Sequence, residues 1–273
     1  MTSLEKKQVP VEAKTQEPLV SLVDIGKAYG HVHALSGVTM SVYAGQVTCV
    51  LGDNGAGKST LIKIMAGLHD YSAGEMHVSG ELRHFGSPRE SLAAGIATVY
   101  QDLALAPMMS VWRNFFLGNE VRRGPLRMLD IAEMKRIAGT ELDKMGISIP
   151  DLDRPVGSLS GGQRQCVAIA RAIYFGAKVI ILDEPTAALG VKQSGVVLKY
   201  IVRAREAGLA VVFITHNPHH AYLVGDQFLI LKLGEVSLAA DREHVTLDRL
   251  TAEMAGGEEL AELSHELRTM DQG

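Results

Sequence analysis

Residues Gly52, Asp53, Asn54, Gly55, Ala56, Gly57, Lys58, Ser59 and Thr60 follow one another without a break, in the order GxxxxGK followed by a hydroxyl residue. Glycines let a backbone curl so that successive N–H groups face inward, forming a nest for anionic oxygens. A helix beginning at Lys58 adds partial positive charge at the same place. The apolar run VTCVL before the glycines and the helix-like LIKIMAGL after them supply the strand and helix that such a loop needs, which a chance glycine-rich turn would lack. The chemistry is phosphate binding. Lys58 is expected to bridge the β- and γ-phosphates of a nucleotide, Ser59 to offer its hydroxyl to Mg²⁺, and Thr60 to help through its amide. Alone, the pattern says nucleotide binding and no more.

A second glycine-lined helix start lies far downstream, at Ser160, Gly161, Gly162 and Gln163, followed by RQCVAIARAI. Ser160 can cap that helix, and the two glycines bare its first amides. One nucleotide in one subunit cannot easily use two such sites. Between them in function stands Val179-Ile180-Ile181-Leu182-Asp183-Glu184, a buried strand with two carboxylates emerging at its end. Thr215-His216 ends another apolar run, LAVVFIT. Gln101 follows the strand-like IATVY, and Tyr29 lies upstream in GKAYG. His219 and His220 follow closely on His216, but Pro218 between them argues against helical metal-ligand spacing, so both read as solvated.

Leu159-Ser160-Gly161-Gly162-Gln163 is identical to the signature of the ATP-binding cassette (ABC) family, and with the phosphate loop upstream this chain resembles that family. The resemblance covers about Leu19 to Val236, and the motifs occur in the family's order. It implies that Ser160, Gly161, Gly162 and Gln163 close over the γ-phosphate held by a partner's phosphate loop. Asp183 would then hold Mg²⁺, Glu184 would be the general base for the attacking water, and His216 the switch histidine that touches the γ-phosphate. Gln101 would contact Mg²⁺ or water, and Tyr29 would stack on adenine. A plain loop glutamine and a core tyrosine are the bland alternatives for these last two. The implied site set is thus Lys58, Glu184 and His216 for catalysis and Ser59, Gln101 and Asp183 for the metal. Nucleotide contacts come from Tyr29, Gly52, Asn54, Gly55, Gly57 and Thr60. One departure stands out: where the family commonly ends its next loop in Ala-Leu-Asp, this chain reads Ala188-Leu189-Gly190.

Those residues must be carried by elements, and the text between them alternates short β-branched runs with longer segments of helical spacing. That pattern indicates an α/β domain with a largely parallel sheet, whose carboxyl edge carries the ligand-binding loops. From about Gln101 to Gly157 β-branched runs are scarce, and segments such as LDIAEMKRIAGTELDKMG read as helix. The resemblance implies a RecA-like P-loop core, an antiparallel β subdomain, and an inserted α-helical subdomain over about 101–170. The expected organisation is a mobile polar tail over 1–18, an ATPase domain over 19–256, and an acidic C-terminal helix or tail over 257–273, with Leu260, Leu263 and Leu267 at helical spacing.

Composition narrows the function. With 27 basic against 31 acidic residues the net charge is −4, which gives no footprint for nucleic acid. Cys49 and Cys166 sit in apolar stretches and read as core thiols. No run approaches the length of apolar chain that spans a bilayer, and the N-terminus is not a secretory signal. Any membrane role therefore comes through a partner, on the cytoplasmic face.

The segments GDNGAGKST, VYQDLALAPMMSVWRNFFLGNE, TAALGVKQS and HNPHHAYLVGD resemble the single-cassette ATPases of bacterial simple-sugar importers of the ribose, xylose and fructose group. The implied partners are a second cassette (a homodimer), an integral-membrane sugar permease and, indirectly, a solute-binding protein. Pro107 to Phe116 would border the groove for the permease, or else pack the helical lobe. A non-transport ABC ATPase and a weakly active regulatory cassette are the rival functions. The first is disfavoured by the acidic balance and single cassette, the second by Glu184 and His216.

Overall fold

A computed structural model describes residues 16–187 and 189–255; the acidic segment read as a C-terminal helix, and most of the N-terminal tail, lie outside them. In chain order the elements are β1 (Val20–Tyr29), β2 (Val32–Val42), β3 (Val47–Leu51), α1 (Lys58–Met65), β4 (Ala73–Val78), β5 (Glu81–Leu82), α2 (Pro88–Ala93) and β6 (Ile96–Val99). Next come α3 (Val111–Phe116), the short pair β7 (Arg122–Arg123) and β8 (Met128–Leu129), α4 (Ile131–Lys144), α5 (Gly161–Tyr174) and β9 (Val179–Asp183). The chain continues through α6 (Val191–Glu206), β10 (Ala210–Thr215), α7 (Pro218–Val224), β11 (Gln227–Lys232), β12 (Glu235–Asp241) and α8 (Leu247–Met254).

The central sheet has the order β12-β11-β3-β10-β9-β6. Its neighbours from β11 to β6 are parallel, and only β12 runs against them. Every residue of β3 and of β10 is buried. This is why these strands read as unbroken apolar runs: a parallel strand covered on both faces has no wet side to mark with polar residues.

Alternation along the strands divides the sheet into two cores. Val47, Cys49, Ile180, Leu182, Val211 and Phe213 join α3 to α8 on one face. Val50, Val179, Ile181, Val212 and Ile214 join α1 and a second sheet on the other. That second sheet is antiparallel, with order β2-β1-β4-β5.

The helical lobe is built from α3, α4 and α5. Within it the segment from Pro107 to Phe116 splits: Val111, Trp112, Phe115 and Phe116 are buried, whereas Met108 is 86% exposed. Asn114, fully buried, ties the lobe's entry by accepting from Ala106 N at 2.8 Å and donating to Ala106, Met109 and Ser110 carbonyls. Among the described residues no helix is long and apolar enough to cross a membrane.

Candidate nucleotide site

Four neighbouring parallel strands, β3, β10, β9 and β6, end at one edge of the sheet. Their partners in register run Leu51↔Thr215, Ile214↔Asp183 and Leu182↔Val99. The loop after β3 carries the glycines and Lys58, the end of β9 carries Asp183 and Glu184, and His216 follows β10. Gln101 lies two residues past β6. Strands ~4.8 Å apart therefore line up residues separated by more than a hundred positions in the chain.

The phosphate loop is braced from behind. Gly234 N donates to Ala56 O at 3.0 Å and Ser36 N to Gly234 O at 2.9 Å, so the β11–β12 turn clamps the loop to β2. Gly57 is the N-cap of α1 at φ 104 with no side-chain cap bond, which leaves the helix start bare for an anion. A Cβ on Gly57 would stand 2.9 Å from Ala34 O and 2.7 Å from Leu35 Cδ2.

Lys58 is 7% exposed, and its Nζ donates to Gly52 O at 2.6 Å and Asp53 O at 2.9 Å. Burial holds its pKa down, and the nearby charges of Glu184, Asp53 and Asp183 push the other way. Asn54, Gly55, Ser59 and Thr60 line the same cleft of ≈ 460 Å³, whose far wall is Val32, His33, Ala34 and Leu233.

At the end of β9, burial and then the neighbouring Glu184 raise the Asp183 pKa, opposed by Lys58 and Lys63. Glu184 has φ 48, a left-handed conformation that costs an ordinary residue about 1–3 kcal/mol and is found where function needs it. Its amide donates to Ile214 O at 3.0 Å, and its Oε2 lies 2.9 Å from His216 Nδ1. Glu184 is thus gripped by the strand next door at both ends.

Other expected residues fall elsewhere. The Ser160 tip opens α5 with a complete capping box: Ser160 Oγ accepts from Gln163 N at 3.3 Å, and Gln163 Oε1 accepts from Ser160 N at 3.0 Å. The tip lies against Leu189 and α6: a Cβ on Gly161 would meet Leu189 Cδ2, and one on Gly162 would meet Gln193 and Val196. None of Ser160 to Gln163 lines the Lys58 cleft.

Tyr29 does not line that cleft either. It is 43% exposed, its ring is edge-on to His69 at 5.7 Å, and Lys27 Nζ sits 5.1 Å from its centroid. It faces Val32 across a tight hairpin, so it stands one strand from the cleft wall. Gln101 is exposed, and its neighbours Tyr100 and Asp102 line a groove of ≈ 290 Å³ shared with Leu105, Asn119 and Arg171.

Pro218 does not interrupt a helix; it begins one, as the first residue of α7, where its missing N–H costs nothing. His219 is exposed as expected. His220 is not: it is half-buried and its Nδ1 is 3.1 Å from Thr186 Oγ1. Sequence reading also passed over Val32, His33 and Leu233. The two-residue turn at Gly30 and His31 hinted at the first pair, but nothing in Leu233-Gly234 marks it as a neighbour of the phosphate loop.

A parallel sheet with a lysine-bearing glycine loop, a carboxylate pair and a histidine at one edge defines a nucleotide-binding cassette of the P-loop class. The sequence profile of the ABC transporter family matches residues 35–187, and the chain belongs to that family. It is 43% identical over 250 residues to the fructose import ATP-binding protein of Rhizobium meliloti, covering 89% of this chain and 96% of that one. It is 42% identical over 236 residues to a xylose/arabinose import ATP-binding protein of Sulfolobus acidocaldarius, covering 86% and 93%. Against a ribose import ATP-binding protein of Bacillus subtilis the identity is 34%, and the match spans 88% of this chain and 48% of that one. Among solved structures, a nucleotide-free ATP-binding cassette from an ABC transporter superposes with a TM-score of 0.73 at 27% identity, covering 82% of this chain and 92% of that one. A bacterial cassette solved as a dimer gives 0.68 at 26%, covering 82% and 98%.

Proposed function

We propose that this chain hydrolyses ATP as one half of a nucleotide-sandwich dimer, and that the cycle drives import of a simple sugar through a membrane permease. The observation that carries the reading is the meeting, at one sheet edge, of the Lys58 cradle with a Glu184 carboxylate held 2.9 Å from His216. Names of relatives that import fructose, xylose or arabinose, and ribose support the sugar; the solute itself touches other subunits.

Nucleotide phosphates enter the loop from Gly52 to Thr60, where Asn54, Gly55, Gly57 and Thr60 present backbone amides and the start of α1 adds its dipole. Lys58 exchanges the carbonyls of Gly52 and Asp53 for β- and γ-phosphate oxygens. Tyr29, at the hairpin beside the cleft, turns its ring onto adenine. Ser59, Gln101 and Asp183 offer hydroxyl, amide and carboxylate oxygens, a donor set that fits a hard divalent cation such as Mg²⁺. When bound, that ion neutralises charge on the phosphate oxygens.

Glu184 accepts the proton of a water that attacks the γ-phosphorus. As the new P–O bond forms, the bond from the γ-phosphorus to the bridging oxygen breaks, and ADP carries away the electron pair. His216 steadies both the carboxylate and the γ-phosphate.

The second wall of the site comes from the partner cassette, whose Ser160, Gly161 and Gly162 amides and Gln163 cover the γ-phosphate. In its own chain this tip lies against Leu189 and α6 and does not line the Lys58 cleft, which supports a contact in trans. The groove beside Gln101 is the seat for a cytoplasmic segment of the permease, through which the cassette attaches to the inner face of the membrane.

Glu184→Gln should bind ATP, run as a dimer in size-exclusion chromatography with light scattering, and turn over at least about a hundredfold more slowly. Normal turnover would remove Glu184 as the base. A monomer at saturating ATP would remove the sandwich.

A further inference from the structure

The loop after Glu184 is held at a place to which the mechanism above assigns nothing. His220 Nδ1 lies 3.1 Å from Thr186 Oγ1, and Thr186 is 7% exposed, so its hydroxyl sits where an unmet hydrogen bond is costly. The histidine is set rigidly. Asn217 Oδ1 accepts from the amides of both His219 and His220, at 3.0 and 3.1 Å, and Pro218 locks the first turn of α7. Asn217 N in turn donates to Thr215 Oγ1 at 3.1 Å.

On the other side, Ala187 N donates to Glu184 O at 3.0 Å, which folds Thr186 and Glu184 into one tight turn. The left-handed backbone of Glu184 persists only if its surroundings impose it. Three restraints do so, and all come from the single segment Ile214 to His220: Ile214 O on the Glu184 amide, His216 on its carboxylate, and His220 on Thr186. Beyond Thr186 the loop runs to Leu189, which touches the Ser160 tip beside Gly161, and to Gly190, which has no side chain with which to anchor it.

We propose that His220 is a positioning residue for hydrolysis: its bond to Thr186 latches the turn that aims Glu184 and seats Leu189 against the Ser160 helix. In its neutral form the ring offers one donor and one acceptor nitrogen, and a threonine hydroxyl can pair with either at Nδ1. Burial, helped by His219 and His216, keeps the His220 pKa below its ordinary value, consistent with that form. The inference rests on Glu184 being the base.

The test is steady-state ATPase kinetics of the full chain. His220→Ala and Thr186→Val should each lower kcat by about tenfold or more, the scale expected when a catalytic group is misplaced by a fraction of an ångström, while KM for ATP stays nearly constant. His220→Asn, whose amide can reach the Nδ1 position, and Thr186→Ser, which keeps the hydroxyl, should recover most of the loss. The His220→Ala/Thr186→Val double variant should be no worse than either single one, because one bond has been removed in all three. A His220→Ala enzyme with normal kcat overturns the proposal, as do losses that multiply in the double variant or a Thr186→Ser enzyme as poor as Thr186→Val. If His220→Ala does not fold, the contrast between the two Thr186 variants decides. An inactive Glu184→Gln beside a fully active His220→Ala would sink the latch and leave the base reading intact; an active Glu184→Gln would sink the base reading itself.

Discussion

The glycine-lined helix starts at Gly57 and at Ser160 are finished differently. The start of α1 has no cap, and its neighbour Lys58 turns onto carbonyls of its own loop. Around it the backbone of Ala34 and the turn at Gly234 close in so tightly that a methyl group on Gly57 would collide. The start of α5 has a full capping box and lies against Leu189 and Gln193, the latter through its backbone carbonyl as well as its side chain. The lesson is that the first is a socket, rigid and cationic. The second is a self-satisfied tip: the box uses the amides of Ser160 and Gln163, and those of Gly161 and Gly162 are left to whatever approaches, since a first turn cannot satisfy them internally. A socket and a tip on separate parts of one chain suit two copies meeting around a ligand.

The strongest way to break this comparison is to disable the socket. Lys58→Ala removes the one buried ammonium in the cleft, and ATP turnover should fall by at least about a hundredfold; unchanged activity would mean that the socket is not the phosphate site. The contrast sharpens with matched alanines. Gly57→Ala places a Cβ against backbone at φ 104, so it should lower stability by about 1–3 kcal/mol and abolish nucleotide binding. Gly161→Ala presses on the movable end of Leu189 and meets Gln193 Oε1 at ordinary contact distance, so thermal melting should barely change, while ATP-driven dimerisation is lost. If Gly161→Ala melted below Gly57→Ala, the assignment of rigid and adaptable sites would be reversed.

A smaller effect concerns the socket's charge. Burial and Glu184 raise the Asp183 pKa, so at neutral pH the ionised carboxylate opposes folding of the nucleotide-free chain. Asp183→Asn should therefore raise Tm by about two degrees, a gain kept small because solvent screens the part-exposed carboxyl, while impairing hydrolysis. The sign follows from linkage: a raised native pKa costs most at pH above it, and the cost disappears as the carboxyl protonates. The gain in Tm should accordingly shrink on acidification, and a constant gain would point to another cause. Smallest of all, Gly190 is the N-cap of α6 without a side-chain cap bond. Gly190→Asp should add only a few tenths of a kcal/mol, read as a Tm rise of about 1 °C.

Much of this was legible in the one-dimensional text, for identifiable reasons. Apolar runs such as VTCVL and LAVVFIT mark strands buried on both faces, because such strands have no polar side to show. Glycine at 52, 55 and 57 with lysine at 58 specifies backbone shape and charge within a single short segment, so no distant neighbour is needed to read it. Ser160 and Gln163 are likewise a local device, and their capping box forms wholly within one helix end.

Other features needed distance. His220 and Thr186 are 34 residues apart, and a proline before a histidine pair reads as a break until α7 is seen to start on it. Val32, His33 and Leu233 join the cleft wall only because β2 and the β11–β12 turn are pressed against the phosphate loop. Tyr29, which the family resemblance assigns to adenine, stands one strand aside with its ring against His69.

What the amino-acid sequence determined by itself is therefore the chemistry: an anion nest, a lysine, a carboxylate pair after a strand, and a second capped glycine tip. These depend on backbone freedom, hydrogen bonding and charge within a few consecutive residues. What only the tertiary structure decided is their company. Sheet order sets which strand ends adjoin, and packing against the two faces sets which loops close in. That is how Glu184 comes to be gripped by His216 and why the Ser160 tip lies against Leu189 and α6 instead of lining the Lys58 cleft: such relations come from contacts between segments, which local spacing does not encode.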